Sequence, residues 1–104
     1  MLFVVHALDK QDGLQTRSKH FREHRAHLDR AEAEGIGIMT AGSIVADDGE
    51  TPIGSLFVVE AKDRAVVENF CRVDPYRTAG VWEKVDIHAY VKRRGWAARS
   101  SPGI

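Results

Sequence analysis

The sequence has little cysteine and no long apolar run. Its one cysteine, Cys71, cannot form an internal disulfide, which favours a reducing compartment. No stretch approaches the roughly 18 apolar residues of a membrane-spanning helix, and residues 1–5 lack the basic region of a signal peptide. We therefore expect a cytoplasmic protein that does not bind membranes. Because Cys71 follows Val67 and Phe70 and precedes Val73, it is predicted to be a buried structural thiol rather than a nucleophile.

The chain also lacks an excess of charge of either sign. Its 104 residues include 15 Lys and Arg and 15 Asp and Glu, so the formal net charge is zero. Nucleic-acid binding through phosphate neutralisation is therefore not expected, and the basic run at residues 92–94 is predicted to be a solvated chain end. Gly-rich phosphate loops and a Gly-x-Ser-x-Gly nucleophile motif are absent as well, and we expect no cofactor.

Hydrophobic periodicity predicts four strands and two helices in the order β-α-β-β-α-β. The predicted strands cover residues 2–8, 36–45, 53–60 and 82–91, and the predicted helices cover about 16–34 and 63–73. This order is typical of an α+β, ferredoxin-like domain, a four-stranded antiparallel sheet with two helices on one face. We expect the domain at residues 1–94 and a flexible C-terminal tail at residues 95–104, which contain Ser, Pro and Gly.

The first predicted strand is apolar on both of its faces. Leu2, Val4 and Leu8 alternate with Phe3 and Val5, whereas two helices can cover only one face of the sheet. The other face therefore needs a partner, and a second copy of the chain would supply one by symmetry. The sequence predicts a homodimer that packs sheet to sheet.

A histidine lies on the apolar stripe of the first predicted helix. His24 is three residues after Phe21 and four before Leu28, where an imidazole is either a hydrogen-bonded core residue or a general acid–base group. His20 and His27 share its helix face at a spacing that could hold a metal. No Cys or carboxylate of ligand spacing joins them, so we expect no metal, and both are predicted to lie at the surface among charged residues.

The segment after the second helix combines an acid, a rigid turn and an aromatic. Asp74 before Pro75 is typical of a helix N-cap, and the same carboxylate could also orient an imidazole. Tyr76 is predicted either to pack or to donate a hydrogen bond at the mouth of a pocket. Upstream, Gly54 and Ser55 indicate a close approach by a ligand or another backbone rather than a nucleophile.

These motifs resemble the YciI-like (YCII-domain) family along residues 1–93. The similar positions are Arg17, His24-x-x-x-Leu28, Thr40-Ala41-Gly42, Gly54-Ser55 and Asp74-Pro75-Tyr76-x-x-Ala79-Gly80-Val81. Among the three helical histidines, His24 is assigned by its spacing to Gly35. The chain departs from the family at Ser43, where a proline often follows the Ala-Gly pair, and this departure concerns the local backbone path.

The resemblance implies a dimeric α+β barrel with an active site at His24 and Asp74. Arg17, Ser55 and Tyr76 would bind the substrate, a small molecule, by holding an anionic or hydroxyl group. The implied function is that of a cofactor-independent enzyme, a lyase or isomerase or a dehydrochlorinase-like protein. The alternative is a non-catalytic small-ligand-binding or accessory protein of the same fold, in which the pair only stabilises structure.

Overall fold

The structure, a computed structural model, describes residues 1–95, and the predicted tail from residue 96 onward lies outside this range. No helix among these residues is long and apolar enough to cross a membrane. The elements are β1 (Leu2–Asp9), α1 (Leu14–Lys19), α2 (Phe21–Asp29), a 3₁₀ turn (Ala31–Glu34), β2 (Gly37–Val45), β3 (Pro52–Glu60), α3 (Arg64–Arg72), α4 (Pro75–Thr78) and β4 (Trp82–Tyr90).

The four strands form one antiparallel sheet in the order β2-β3-β1-β4. The first strand lies at the centre, where Val5 is opposite Phe57 of β3 and Ile87 of β4. All three pairings are antiparallel, and the helices cover one side of the sheet. The predicted ferredoxin-like α+β fold is confirmed.

The first helical region differs from the single helix that the periodicity predicts. It consists of α1, α2 and the 3₁₀ turn, because the chain leaves helical geometry at His20 and again at Arg30. The His20 N–H lies 3.1 Å from the Thr16 carbonyl and 3.3 Å from the Arg17 carbonyl. This shared bond tightens the last turn of α1 and redirects the chain into α2. Gly35, with φ of 82°, ends the region as predicted.

The two faces of the sheet have different surroundings. The odd-numbered residues of β1 face the helices, and Phe3, Val5 and Ala7 are at most 2% exposed. No helix of residues 1–95 covers the opposite face, which we call the open sheet face. Its apolar residues on β1 and β3 are half-buried or exposed, namely Leu2, Val4, Leu8, Leu56 and Val58, and His6 lies among them. Within residues 1–95, one apolar face of the first strand is thus left without a helix, as expected.

A glycine allows β1 and β3 to approach closely beside the site. A Cβ at Gly54 would lie 2.3 Å from the carbonyl oxygen of Ala7, so any side chain there would collide with backbone. Of the two close approaches that Gly54-Ser55 predicts, a ligand or another backbone, the structure shows the backbone of a neighbouring strand. The next residue, Ser55, lies on the helix-covered face and is 1% exposed.

Candidate active site

The helix-covered face contains a cleft of about 220 Å³ between the first two helices and the β2–β3 hairpin. Its wall includes polar side chains from three elements, Arg17 of α1, His24 of α2 and Ser55 of β3, together with Tyr76 of α4. Asp74, the fifth residue predicted for the site, contacts His24 from behind and is fully buried. The structure thus brings all five predicted residues together.

His24 and Asp74 form a buried pair although they are 50 residues apart in sequence. The His24 Nδ1–H donates to the two carboxylate oxygens at 2.8 and 3.0 Å. Oδ1 also accepts the backbone N–H of Tyr76 at 2.8 Å, which makes Asp74 the N-cap of α4 with Pro75 at its first position. Since Nδ1 carries the proton of the neutral ring, Nε2 keeps its lone pair. Asp74 therefore has both predicted roles, cap and imidazole partner.

Aromatic rings fix the orientation of His24. The Tyr76 ring stacks on the imidazole with centroids 3.9 Å apart and planes 8° apart, and Trp82 approaches edge-on at 6.2 Å. Tyr76 is 1% exposed, and burial raises the pKa of its phenol although the Arg17 charge lowers it. The phenol therefore stays neutral at ordinary pH. No residue from 1 to 95 forms a hydrogen bond with its hydroxyl, which leaves a buried donor without a partner.

The guanidinium of Arg17 is already bound on both of its terminal nitrogens. Nη1 donates to the two carboxylate oxygens of Asp9, each at 3.0 Å, and Nη2 donates to Ser43 Oγ at 3.2 Å and Ser55 Oγ at 3.1 Å. Its central carbon lies 4.7 Å from the Tyr76 ring centroid. Burial raises the pKa of Asp9 more than the neighbouring arginine lowers it. Arg17 is thus a buried, charge-matched part of the wall.

The hydroxyl of Ser55 has one hydrogen-bond donor that no residue from 1 to 95 accepts. Its Oγ accepts hydrogen bonds from Arg17 Nη2 at 3.1 Å and from the Trp82 indole N–H at 3.3 Å. Both lone pairs are then occupied, and its own O–H finds no acceptor among residues 1–95. A side chain that is 1% exposed and lines the cleft therefore offers one hydrogen-bond donor to a bound molecule.

Three contributors to the site were missed in the sequence. Asp9 lies just beyond the predicted first strand, residues 2–8, but it continues the odd-numbered alternation of β1 and so faces the helices, a signal that the sequence did contain. Ser43, noted only for its backbone path, accepts a hydrogen bond from Arg17. The role of Trp82 depends on contacts with Ser55 and His24 that no local pattern indicates.

The prediction that His27 lies at the surface is wrong. His27 is 6% exposed, stacks on Phe70 with centroids 4.2 Å apart, and donates from Nε2 to the Phe70 carbonyl at 2.8 Å. The buried side of α2 is formed by His24 and His27, whereas Phe21, expected on the apolar stripe, is 48% exposed. His27 is buried because α2 also meets the end of α3. His20 is partly exposed and bonds Glu23. No group of three His, Cys, Asp or Glu within residues 1–95 could hold a metal ion.

Cys71 is buried, as predicted, and lies outside the wall of the cleft. It is 4% exposed, and burial, reinforced by the charge of Asp74, raises the pKa of its thiol to about 12. A thiol in this state is a poor nucleophile.

These features define a ferredoxin-like domain with a histidine–carboxylate pair beside a small cleft. The family model of the YCII-related domain matches residues 1–90, and the chain belongs to this family. The chain is 33% identical over 97 residues to Protein YciI of Escherichia coli O6:H1, an alignment that covers 88% of this chain and 98% of that protein. Protein YciI of Shigella flexneri gives the same values.

Solved structures show the same architecture. The 5-chloro-2-hydroxyhydroquinone dehydrochlorinase TftG of Burkholderia phenoliruptrix AC1100, in complex with 2,5-dihydroxybenzoquinone, aligns with a TM-score of 0.77 and 26% identity over 88% of this chain and 94% of that one. PA3566 of Pseudomonas aeruginosa aligns with a TM-score of 0.53 and 12% identity, over 89% of this chain and 93% of that one. This likeness shows the fold alone.

Proposed function

We propose that the chain is a cytoplasmic, cofactor-independent enzyme that acts on a small molecule, with His24 as the group that moves a proton. The observation that carries this proposal is the hydrogen bond of 2.8 Å between His24 Nδ1 and the buried carboxylate of Asp74, in a histidine that lines a cleft. A carboxylate in this position fixes the tautomer and stabilises the imidazolium that forms when Nε2 accepts a proton.

The chemistry follows from the free Nε2 atom. In an elimination, Nε2 removes a proton from the substrate, the released electron pair forms a π bond, and the leaving group X departs as X⁻ with its bonding pair, so that HX is lost. In an isomerisation, the imidazolium returns the same proton to another atom. Neither reaction changes the oxidation state of the protein or needs an added electron carrier. Both belong to the lyase and isomerase classes.

Two buried side chains of the wall, Ser55 and Tyr76, each have an O–H without an acceptor among residues 1–95 and would bind oxygen atoms of the substrate. The O–H groups of Ser55 and Tyr76 are buried donors without acceptors among residues 1–95, and such donors stabilise a bound molecule that accepts from them. Arg17 and Trp82 polarise the Ser55 hydroxyl by donating to it. An oxygen that gains negative charge during proton transfer is the acceptor that they stabilise most.

The likeness to TftG supports an elimination on a hydroxylated ring. That protein is named as a dehydrochlorinase of a chlorinated hydroxyhydroquinone, and it shares the fold with this chain at 26% identity. We propose a dehydrochlorinase-like lyase as the specific form of the enzyme. The cleft of about 220 Å³ has room for a single ring.

We further propose that the enzyme is a homodimer formed through the open sheet face. Leu8 and Leu56 on this face are each 37% exposed, and an apolar sheet surface in water favours association. A second copy would cover it with the same residues, as a twofold interface requires. Light scattering coupled to size exclusion should give a mass near twice 11.6 kDa. A monomer at micromolar concentration would contradict the dimer.

The catalytic proposal is tested by chloride release from 5-chloro-2-hydroxyhydroquinone. We expect turnover by the wild-type protein, its loss in His24→Asn, and its retention in His20→Asn, which changes a partly exposed histidine of the same helical region. Equal turnover in His24→Asn and wild type would refute the role of His24. A wild-type protein that binds hydroxylated rings but turns over neither this compound nor its unchlorinated analogues would instead be the non-catalytic ligand-binding protein.

A further inference from the structure

The cleft wall contains three cationic or potentially cationic side chains, and two of them already have carboxylate partners. Arg17 lies 3.0 Å from Asp9, and His24 lies 2.8 Å from Asp74. Both partners are buried behind the wall. The Arg17–Asp9 pair is charge-matched, and the His24–Asp74 pair with its neutral ring carries only the negative charge of the carboxylate, so neither pair offers a net positive charge to the cleft. A buried arginine whose charge is matched in this way is a poor counterion for a ligand.

The third side chain, Arg25, lies at the mouth of the cleft and differs from the other two. It is exposed, and its one described contact places its guanidinium carbon 5.8 Å from the Phe21 ring centroid, also at the mouth. It has no ion-pair partner within residues 1–95. No Asp or Glu is among the residues that line the cleft. Arg25 is therefore the one cationic side chain of the cleft wall that has no carboxylate partner among residues 1–95.

We propose that Arg25 determines specificity by binding an anionic group of the substrate, so that the natural substrate is a flat ring that carries a carboxylate or a comparable anion. This inference rests on the proposed function in one respect, that the cleft binds a small molecule. The ring would lie between the apolar walls formed by Phe21, Leu28 and Phe57. Its reacting atom would meet His24, and its anionic group would extend to the mouth.

The position of Arg25 suits this role physically. The planar guanidinium binds a carboxylate through two parallel hydrogen bonds, which fixes orientation as well as charge. The Phe21 ring on one side limits the rotamers of the arginine and shields the ion pair from part of the solvent. A neutral ligand of the same shape gains neither the two charge-assisted hydrogen bonds nor the shielded ion pair. The side chain therefore selects among rings that the rest of the cleft would accept equally.

The test compares two probes of the same shape, 3,4-dihydroxybenzoate and 3,4-dihydroxybenzamide, by isothermal titration of the full chain. The wild-type protein should bind the benzoate about tenfold more tightly than the benzamide, as expected for a charge-assisted bond at a partly shielded site. Arg25→Gln should bring the two dissociation constants within about twofold, whereas Arg25→Lys should keep part of the preference. Added salt should weaken only the binding of the benzoate.

Arg22→Gln is the matched control, because Arg22 is an exposed arginine of the same helix that does not line the cleft. It should preserve the full preference for the anion. A wild-type protein that does not distinguish the two probes, or an Arg25→Gln variant that still prefers the benzoate, would overturn the inference. His24→Asn separates the two proposals, since it should keep the binding preference while losing turnover.

Discussion

Two histidines of α2, three residues apart, have nearly the same surroundings by simple measures. His24 and His27 are each 6% exposed, and each stacks on an aromatic ring, with centroids 3.9 and 4.2 Å apart. They differ in the partner atom. His24 donates to a carboxylate and lines the cleft, whereas His27 donates to the carbonyl of Phe70. A carboxylate can stabilise the imidazolium far better than a neutral carbonyl can, so the proposed catalytic role falls to His24 and a structural role to His27.

The largest effect should separate the two histidines by activity. His24→Asn should lower turnover by about 10²- to 10⁴-fold, the usual contribution of a positioned general base. His27→Asn should leave the rate of the remaining folded protein close to that of wild type, because its ring is bound to Phe70. Initial rates per folded molecule, with the folded fraction measured by circular dichroism, provide the comparison. Equal rate losses in both variants would break the distinction.

The next effect concerns the partner of His24. Asp74→Ala removes the acceptor of two buried N–H groups, His24 Nδ1–H and the Tyr76 amide, and should destabilise the fold by about 2–4 kcal/mol. Asp74→Asn should cost only about 1 kcal/mol, because Asn also caps helices. Urea unfolding measures both values. Equally small costs for the two variants would show that the cap and the imidazole do not depend on this carboxyl group.

A smaller effect is expected on the structural side of the comparison. His27→Phe keeps an aromatic ring on Phe70 but leaves the carbonyl of that residue without its donor, which should cost about 1–3 kcal/mol of stability. Turnover at a temperature where the variant is folded should match that of wild type. A stable variant with altered turnover would instead place His27 in the catalytic machinery.

The smallest effect is a pH dependence of stability that arises from Cys71, which follows Phe70, the partner of His27, in α3. The pKa of the Cys71 thiol is raised from 9.0 to about 12 by burial, so the unfolded chain loses this proton first as the pH rises. Stability contributed by the protonated thiol is therefore complete below pH 9 and is lost as the pH rises through about 12. Between pH 8 and pH 10 the expected loss is about 1 kcal/mol.

Cys71→Ala is the control for that pH dependence. Other groups titrate in the same range, but they are common to both proteins, so the difference between the two urea-unfolding curves isolates the thiol. The variant should be less stable than wild type at pH 8, and the gap should narrow at pH 10. A gap that is constant with pH would show that the thiol is accessible to solvent in the folded protein.

The order of elements was predictable because its signals are local. Strand alternation in β1 and β4, the Asp63 cap of α3 and Gly35 after the first helical region each depend on a few neighbouring residues. The break at His20 was not predictable, since the apolar spacing of Phe21 and Leu28 continues across a kink that packing determines.

The site was predictable only in part. The resemblance identified His24 and Asp74, whereas spacing alone left His24 open between a core residue and an acid–base group. Composition did not indicate that Arg17 is neutralised, because that requires knowing that Asp9 belongs to the strand. The burial of His27 depends on the end of α3, which lies 43 residues away in sequence. These features depend on contacts between segments that are distant in sequence, and local sequence patterns do not indicate such contacts.

The most direct test of the account observes both imidazoles in one titration. Long-range ¹⁵N–¹H spectra of the wild-type protein would follow the ring nitrogens of His24 and His27 while 2,5-dihydroxybenzoquinone is added. We expect the His24 Nε2 resonance to move with ligand concentration, its Nδ1 to stay protonated against Asp74, and both nitrogens of His27 to remain unchanged. Binding that shifts the His27 nitrogens and leaves His24 Nε2 in place would contradict it.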